Sequence, residues 1–315
     1  MNFRECYDTC DTILTEGAIG IRLRNEYGIT PDPVVANASL LYDEQARDAI
    51  KEITGQYIRI AREYQLPMML MTSTRKANRY NVERSAYTKE IIRDNVDFIR
   101  RICEKANPMD ALHTELFAGG MMGCKGDAYT GAEALGAEEA YEFHSWQAQL
   151  FREAKVDYLY ACIMPMLPET IGMAKALADT GIPYIISFMV RKDGRLIDGT
   201  TIHDAISAVE AAVSEKPIFY MTNCVHPVNV GLALAQEFNQ TELVRTRFQG
   251  IQANASPLSP EELDGCCGIV SSEPWELAGE MMKLRKKYGF KVLGGCCGTD
   301  QRHIEELAKR LASMG

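Results

Sequence analysis

Eight times along the chain a short apolar run of strand character gives way to a longer stretch with helical spacing. This alternation limits the available folds more than any other feature. The strand-like runs fall at 12–20, 68–71, 111–117, 156–161, 183–188, 217–223, within 246–254, and at 291–293. Helical patterns follow at 38–64, 82–105, 137–154, 169–180, 202–214, 229–238, 274–288 and 302–314. Units of this kind set parallel strands side by side under a cover of helices, and eight of them predict a closed (β/α)8 barrel of the α/β class. A doubly wound open sheet is the alternative, because it uses the same units without closing. No linker or low-complexity stretch divides the sequence, so 1–315 is read as one domain.

At 315 residues, 46% of them hydrophobic, the chain carries enough apolar material for a core of that size. A formal net charge of -9 argues against a nucleic-acid partner, whose phosphates demand clustered Lys and Arg. The first eleven residues carry charges and no apolar core, and nowhere do eighteen apolar residues run together. A cytoplasmic protein with no membrane partner is therefore expected. Ten cysteines in such a chain are expected to stay reduced, and reduced cysteines are free to bind metal.

In a barrel of this type the residues just past each strand face one another. Here they are Glu16 with Gly17, Thr72 with Ser73, Gly119 with Gly120, Ala161 with Cys162, Ser187, Asn223 with Cys224, Asn254, and Cys296 with Cys297. The last pair sits in Val292-Leu293-Gly294-Gly295-Cys296-Cys297-Gly298-Thr299. Neighbouring side chains of a strand point to opposite faces, so two consecutive sulfurs meet one ion only where the backbone leaves extended geometry. The flanking glycines permit that. Cys224 brings a third sulfur. Three protein ligands with a fourth position open is the arrangement of a catalytic zinc. Three thiolates on one Zn2+ leave a net charge of -1, a weak Lewis acid suited to activating a thiol more than to hydrolysing a carbonyl.

Other readings of these residues stay open at this point. His226 is an alternative ligand, although the Pro227 after it marks a helix entry. Cys266 and Cys267, between Gly265 and Gly268, imitate the terminal motif but do not follow an apolar strand, and are read as a loop. Cys296 and Cys297 would also serve as a metal-free redox pair. Cys6, Cys10, Cys103 and Cys162 are read as packing. Glu16 is either a substrate contact or a solvated charge. The glycine-rich 119–126 stretch lacks the spacing of a phosphate-cradling motif.

Taken together, Asn223-Cys224, the Gly294 to Thr299 motif, and Asp193-Gly194-Arg195-Leu196 with Asp198-Gly199-Thr200 resemble the homocysteine S-methyltransferase family over essentially the whole chain. Thr15-Glu16-Gly17-Ala18-Ile19-Gly20 is similar to the family's opening Asp-Gly-Gly-Met-Gly segment, and Thr72-Ser73-Thr74 to its Thr-Asn-Thr. The resemblance implies a barrel that binds Zn2+ through Cys224, Cys296 and Cys297 and methylates a thiol, homocysteine giving methionine. It implies substrate contacts from Glu16, Gly17, Ser73 and Asn223. The implied donors are S-methylmethionine, betaine, or methylfolate acting through a corrinoid, which is expected here on a separate protein. Two departures stand out. Glu16 replaces the family's Asp, and Tyr160-Ala161-Cys162-Ile163 stands where the family presents a Glu-Thr pair that holds the amino group. A different thiol acceptor, or a non-catalytic thiol- or metal-binding barrel, is therefore the alternative function.

Overall fold

Eight parallel strands pair in sequence order and close on themselves: β1 (Ile13–Thr15), β2 (Met68–Met71), β3 (Leu116–Gly123), β4 (Tyr158–Met164), β5 (Tyr184–Phe188), β6 (Tyr220–Val225), β7 (Phe248–Ala253) and β8 (Val292–Gly295). Leu14 pairs with Met68 on one side and Leu293 on the other, and this β8–β1 contact distinguishes the barrel from the open sheet. The computed structural model describes residues 1–106, 114–258 and 271–313. Cys266 and Cys267 lie outside the described residues.

Helices at Ala137–Ala154 and Pro274–Tyr288 have the expected limits. The pattern at 38–64 divides at Asp43, which caps the helix Glu44–Glu63 by accepting from the Ala46 amide. A 3-10 turn, Asn37–Tyr42, precedes it. The pattern at 82–105 likewise divides into Arg79–Glu83 and Glu90–Ala106.

β3 departs most from expectation. It runs through the glycines, at 116–123, instead of ending before them. The glycines are there for space. A Cβ on Gly119 would overlap the Tyr158 ring, and one on Gly120 would lie 2.7 Å from Cδ1 of Phe151. Large rings from β4 and the 137–154 helix occupy the room that two missing side chains leave.

A helix at Phe3–Thr9 was not legible as a unit in the apolar pattern. Its capping box links Asn2 and Glu5. Phe3 stacks on Tyr158 with ring centroids 4.6 Å apart, and Tyr7 stacks on Phe219 at 4.8 Å. Both partners lie at or just before the N-terminal ends of strands, so this helix covers the end of the barrel opposite the strand C-termini. The ring of Tyr158 is held further by its hydroxyl, which donates to the Leu70 carbonyl at 2.9 Å.

Gly119→Ala should consequently destabilise the barrel by about 1–3 kcal/mol, the cost of overpacking a core that cannot move aside. The urea midpoint measures it, and an unchanged midpoint would contradict the packing described.

Candidate metal centre

At the C-terminal ends of β6 and β8 the sulfurs of Cys224, Cys296 and Cys297 lie within 4.8 Å of one another. Each strand departs from regular geometry to achieve this. In β6 the register shifts between Asn223 and Val225, and Cys224 adopts φ 62°, a left-handed conformation that a non-glycine residue rarely holds without compensation. After β8 the chain turns at Cys296 and Cys297, and Gly298 takes φ 80°. Both sulfurs of the consecutive pair thereby reach one point, 3.9 Å apart.

The turn is pinned on three sides. The Cys296 amide donates to the Ala253 carbonyl at 2.8 Å, and the Cys297 carbonyl accepts from the Ala255 amide at 2.9 Å. Buried Thr299 donates from its hydroxyl to the Cys296 carbonyl at 2.7 Å and accepts from the Ala18 amide at 3.2 Å. The glycines before the cysteines let this happen: side chains at Gly294 and Gly295 would overlap Thr15 and Thr299.

The donor set fits a tetrahedral zinc. Ligand sulfurs at about 2.3 Å from the ion stand about 3.8 Å from one another, so the cluster needs to close by about 1 Å at most. Hydrogen bonds from Cys296 and Cys297 hold the Cys224 thiol well below its ordinary range, and the contact with Cys224 pushes Cys297 up to about 12. Cys224 is the thiolate-prone member. Tyr129 donates to its sulfur at 3.2 Å, and Asn254 Nδ2 approaches it at 3.6 Å.

These sulfurs line a cavity of about 400 Å³ together with Glu16, Gly17, Ser73, Arg75 and Asn223. The structure therefore brings every expected site residue to one cavity. Gly17 makes room for Tyr57, whose hydroxyl oxygen lies 2.6 Å from where a Cβ would sit. Asn223 is oriented through Oδ1, which accepts from the Ile163 amide at 2.8 Å and the Ser187 hydroxyl at 2.6 Å. Of strand four, Tyr160, Cys162 and Ile163 line the cavity; Cys162, read as packing, is buried but belongs to the wall.

Glu16 is 5% exposed. Its Oε1 accepts from the Met71 amide at 3.2 Å, while Oε2 has no partner. Burial raises its pKa from 4.5 to about 8. A buried carboxylate with one empty oxygen is a ready acceptor for a ligand's ammonium.

His226 does not join the cluster. It caps the helix Pro227–Leu234, accepting from the Val228 amide at 3.3 Å through Nδ1, and its Nε2 lies 3.2 Å from the Ser272 hydroxyl. Glu169 is fully buried away from the cavity. Its Oε1 accepts from the Lys125 amide at 2.8 Å and its Oε2 from the Leu135 amide at 3.3 Å, with His144 Nε2 3.0 Å from Oε1. This latch fixes both ends of the segment that carries Tyr129. Sequence reasoning missed Tyr129 and Arg75; both follow the expected ends of β3 and β2, but only tertiary contacts aim them at the cavity.

A carboxyl group that folding makes less acidic favours the protonated state, so its contribution to stability declines as pH rises from about 4.5 to about 8. Glu16→Gln should stabilise the free protein more at pH 8 than at pH 5, the two differing by on the order of 2 kcal/mol. Equal changes in Tm at the two pH values would contradict the buried state of Glu16.

The homocysteine S-methyltransferase family model matches residues 13–311. The homocysteine S-methyltransferase YbgG of Bacillus subtilis (strain 168) is 24% identical over 191 residues, which is 60% of this chain and 58% of that protein. The alignment thus spans under two thirds of the relative's length. In three dimensions the chain resembles the metallated form of the homocysteine methyltransferase MmuM from Escherichia coli, with a TM-score of 0.77 at 21% identity, covering 98% of this chain and 99% of that one. The oxidised form of MmuM superposes with a TM-score of 0.74, also at 21% identity, covering 96% of this chain and 97% of that one. The match across nearly all of the sequence, on a closed barrel of the same shape, places the chain in the homocysteine S-methyltransferase family.

Proposed function

We propose that the protein is a zinc-dependent S-methyltransferase that moves a methyl group onto a thiol acceptor, homocysteine giving methionine. The observation that carries this reading is the three-sulfur cluster opening on the same cavity as the unpaired oxygen of Glu16. Family membership and the metallated state of MmuM support it.

Cys224, Cys296 and Cys297 would hold the zinc, which would supply Lewis acidity to lower the acceptor thiol's pKa while leaving the sulfur nucleophilic. The remaining work belongs to the chain. Tyr129 and Asn254 hydrogen-bond to Cys224 and draw charge from that ligand. Thr299 and the backbone of β7 hold the cysteine turn in place. Glu16 takes the acceptor's ammonium at Oε2, a contact that returns the carboxyl group to its ionised form. Tyr160, Cys162 and Met121 supply apolar wall to the same cavity.

Transfer itself forms a bond between the acceptor sulfur and the methyl carbon while the donor's bond to that carbon breaks in line. A cationic sulfonium or ammonium donor leaves neutral. A methyl corrinoid on a separate protein is the other donor consistent with this chemistry. Such a displacement relies on close positioning and needs no acid or base at the methyl group.

Zinc analysis should find about one ion per chain, and Cys296→Ala should lose it together with methionine formation from homocysteine and S-methylmethionine. A metal-free wild-type protein that still methylates homocysteine would overturn the reading.

A further inference from the structure

The cavity contains a guanidinium with no carboxylate partner among the described residues. Arg75 follows Thr72-Ser73-Thr74 at the end of β2 and lines the cavity beside the cysteine cluster. Among the described residues no carboxylate lies within ion-pair distance of it and no hydrogen bond from its guanidinium is found. Its electrostatic neighbours are Cys162, Tyr129, Cys124 and Cys296. Burial pushes Cys162 up to about 12 and Cys124 up to about 11, so these two thiols offer it no charge near neutral pH.

The side chain is placed by the fold. Its Cγ lies 2.5 Å from where a Cβ of Gly123 would stand, so the stem of Arg75 runs through a notch that this glycine leaves in β3. Arg24, the other cation of the cavity, is exposed at the rim and screened by water. Glu16 is the one acidic side chain in the described lining.

Arg75 is half-buried, and a partly desolvated cation without a carboxylate partner gains from a ligand that supplies the charge. Guanidinium groups match a carboxylate with two parallel hydrogen bonds. We propose that Arg75 is the carboxylate-recognition residue of this site, so that the acceptor is an amino-acid thiol gripped at three points: sulfur at the cysteine cluster, ammonium at Glu16, carboxylate at Arg75. The proposal rests on the thiol-acceptor reading above and adds to it the element that selects a zwitterion. It also accounts for strand four, where Cys162 and Ile163 face the cavity with no carboxylate. The lining has one acid, Glu16, and one cation away from the exposed rim, Arg75, the complement of one ammonium and one carboxylate.

Three thiols separate this role from others: homocysteine; 3-aminopropanethiol, which lacks the carboxylate; and 4-mercaptobutanoate, which lacks the ammonium. Their affinities are measured by calorimetry on the zinc-loaded wild type, Arg75→Gln and Arg75→Lys. Arg75→Gln should weaken homocysteine and 4-mercaptobutanoate by roughly tenfold to a hundredfold and change 3-aminopropanethiol by less than about threefold. Arg75→Lys should recover part of the loss. Equal weakening of all three thiols would show that Arg75 only offsets the charge of the cysteine cluster and would overturn the proposal, as would unchanged binding of homocysteine. Methionine, which keeps the carboxylate and has no thiol, makes the two readings separable. If the wild type binds none of the thiols but binds methionine in an Arg75-dependent way, the acceptor reading falls and the assignment of Arg75 stands. If methionine binding is independent of Arg75 in that case, the assignment falls as well.

Discussion

Bringing three sulfurs to one point requires backbone that regular strands cannot provide, and much of the surrounding structure serves that requirement. Cys224 holds a left-handed φ of 62° near the C-terminal end of β6, where it costs on the order of 1 kcal/mol or more. The adjacent register shift in β6 lets the strand keep pairing with β7 around it. On the other side, the turn at Cys296 and Cys297 is tied to β7 by backbone hydrogen bonds and to the segment after β1 by Thr299. Because β7 pairs with both β6 and β8, it brings Cys224 and the Cys296–Cys297 turn to the same end of the barrel.

The cavity beside the cluster has its own charge logic. Glu16 is buried and Arg75 half-buried, and among the described residues neither pairs with an oppositely charged side chain, in a region where water screens less than in bulk. Ionised Glu16 and partly desolvated Arg75 are both unfavourable in the empty protein, and each becomes favourable against a ligand group of opposite charge. Binding energy is thus stored in the folded state as unmet electrostatic demand, which favours a zwitterion over a neutral thiol of similar size. Tyr129 joins the two halves of the site, since its hydroxyl reaches Cys224 while the Glu169 latch fixes the segment around it.

Much of this was legible in the sequence, for physical reasons that differ by region. Buried parallel strands read as apolar runs of the right length, so the eightfold rhythm announced the barrel. The Gly-Gly-Cys-Cys-Gly run announced a departure from extended backbone at a pair of ligands. What stayed hidden depends on contacts distant in sequence. Gly119 and Gly120 look like a loop until Tyr158 and Phe151 are known to fill the space above them. Phe3–Thr9 is a single short amphipathic helix whose stability comes from its docking on barrel rings, although Asn2 with Glu5 signalled a cap. Arg75 gave no local signal, because the notch that aims it belongs to Gly123, on another strand.

The most direct measurement is zinc K-edge X-ray absorption on the zinc-loaded protein with and without homocysteine. The account predicts three sulfur ligands at about 2.3 Å and one lighter ligand in the free protein, becoming four sulfurs when the acceptor is added. Two or fewer sulfurs in the free protein, or a coordination shell that homocysteine leaves unchanged, would contradict it.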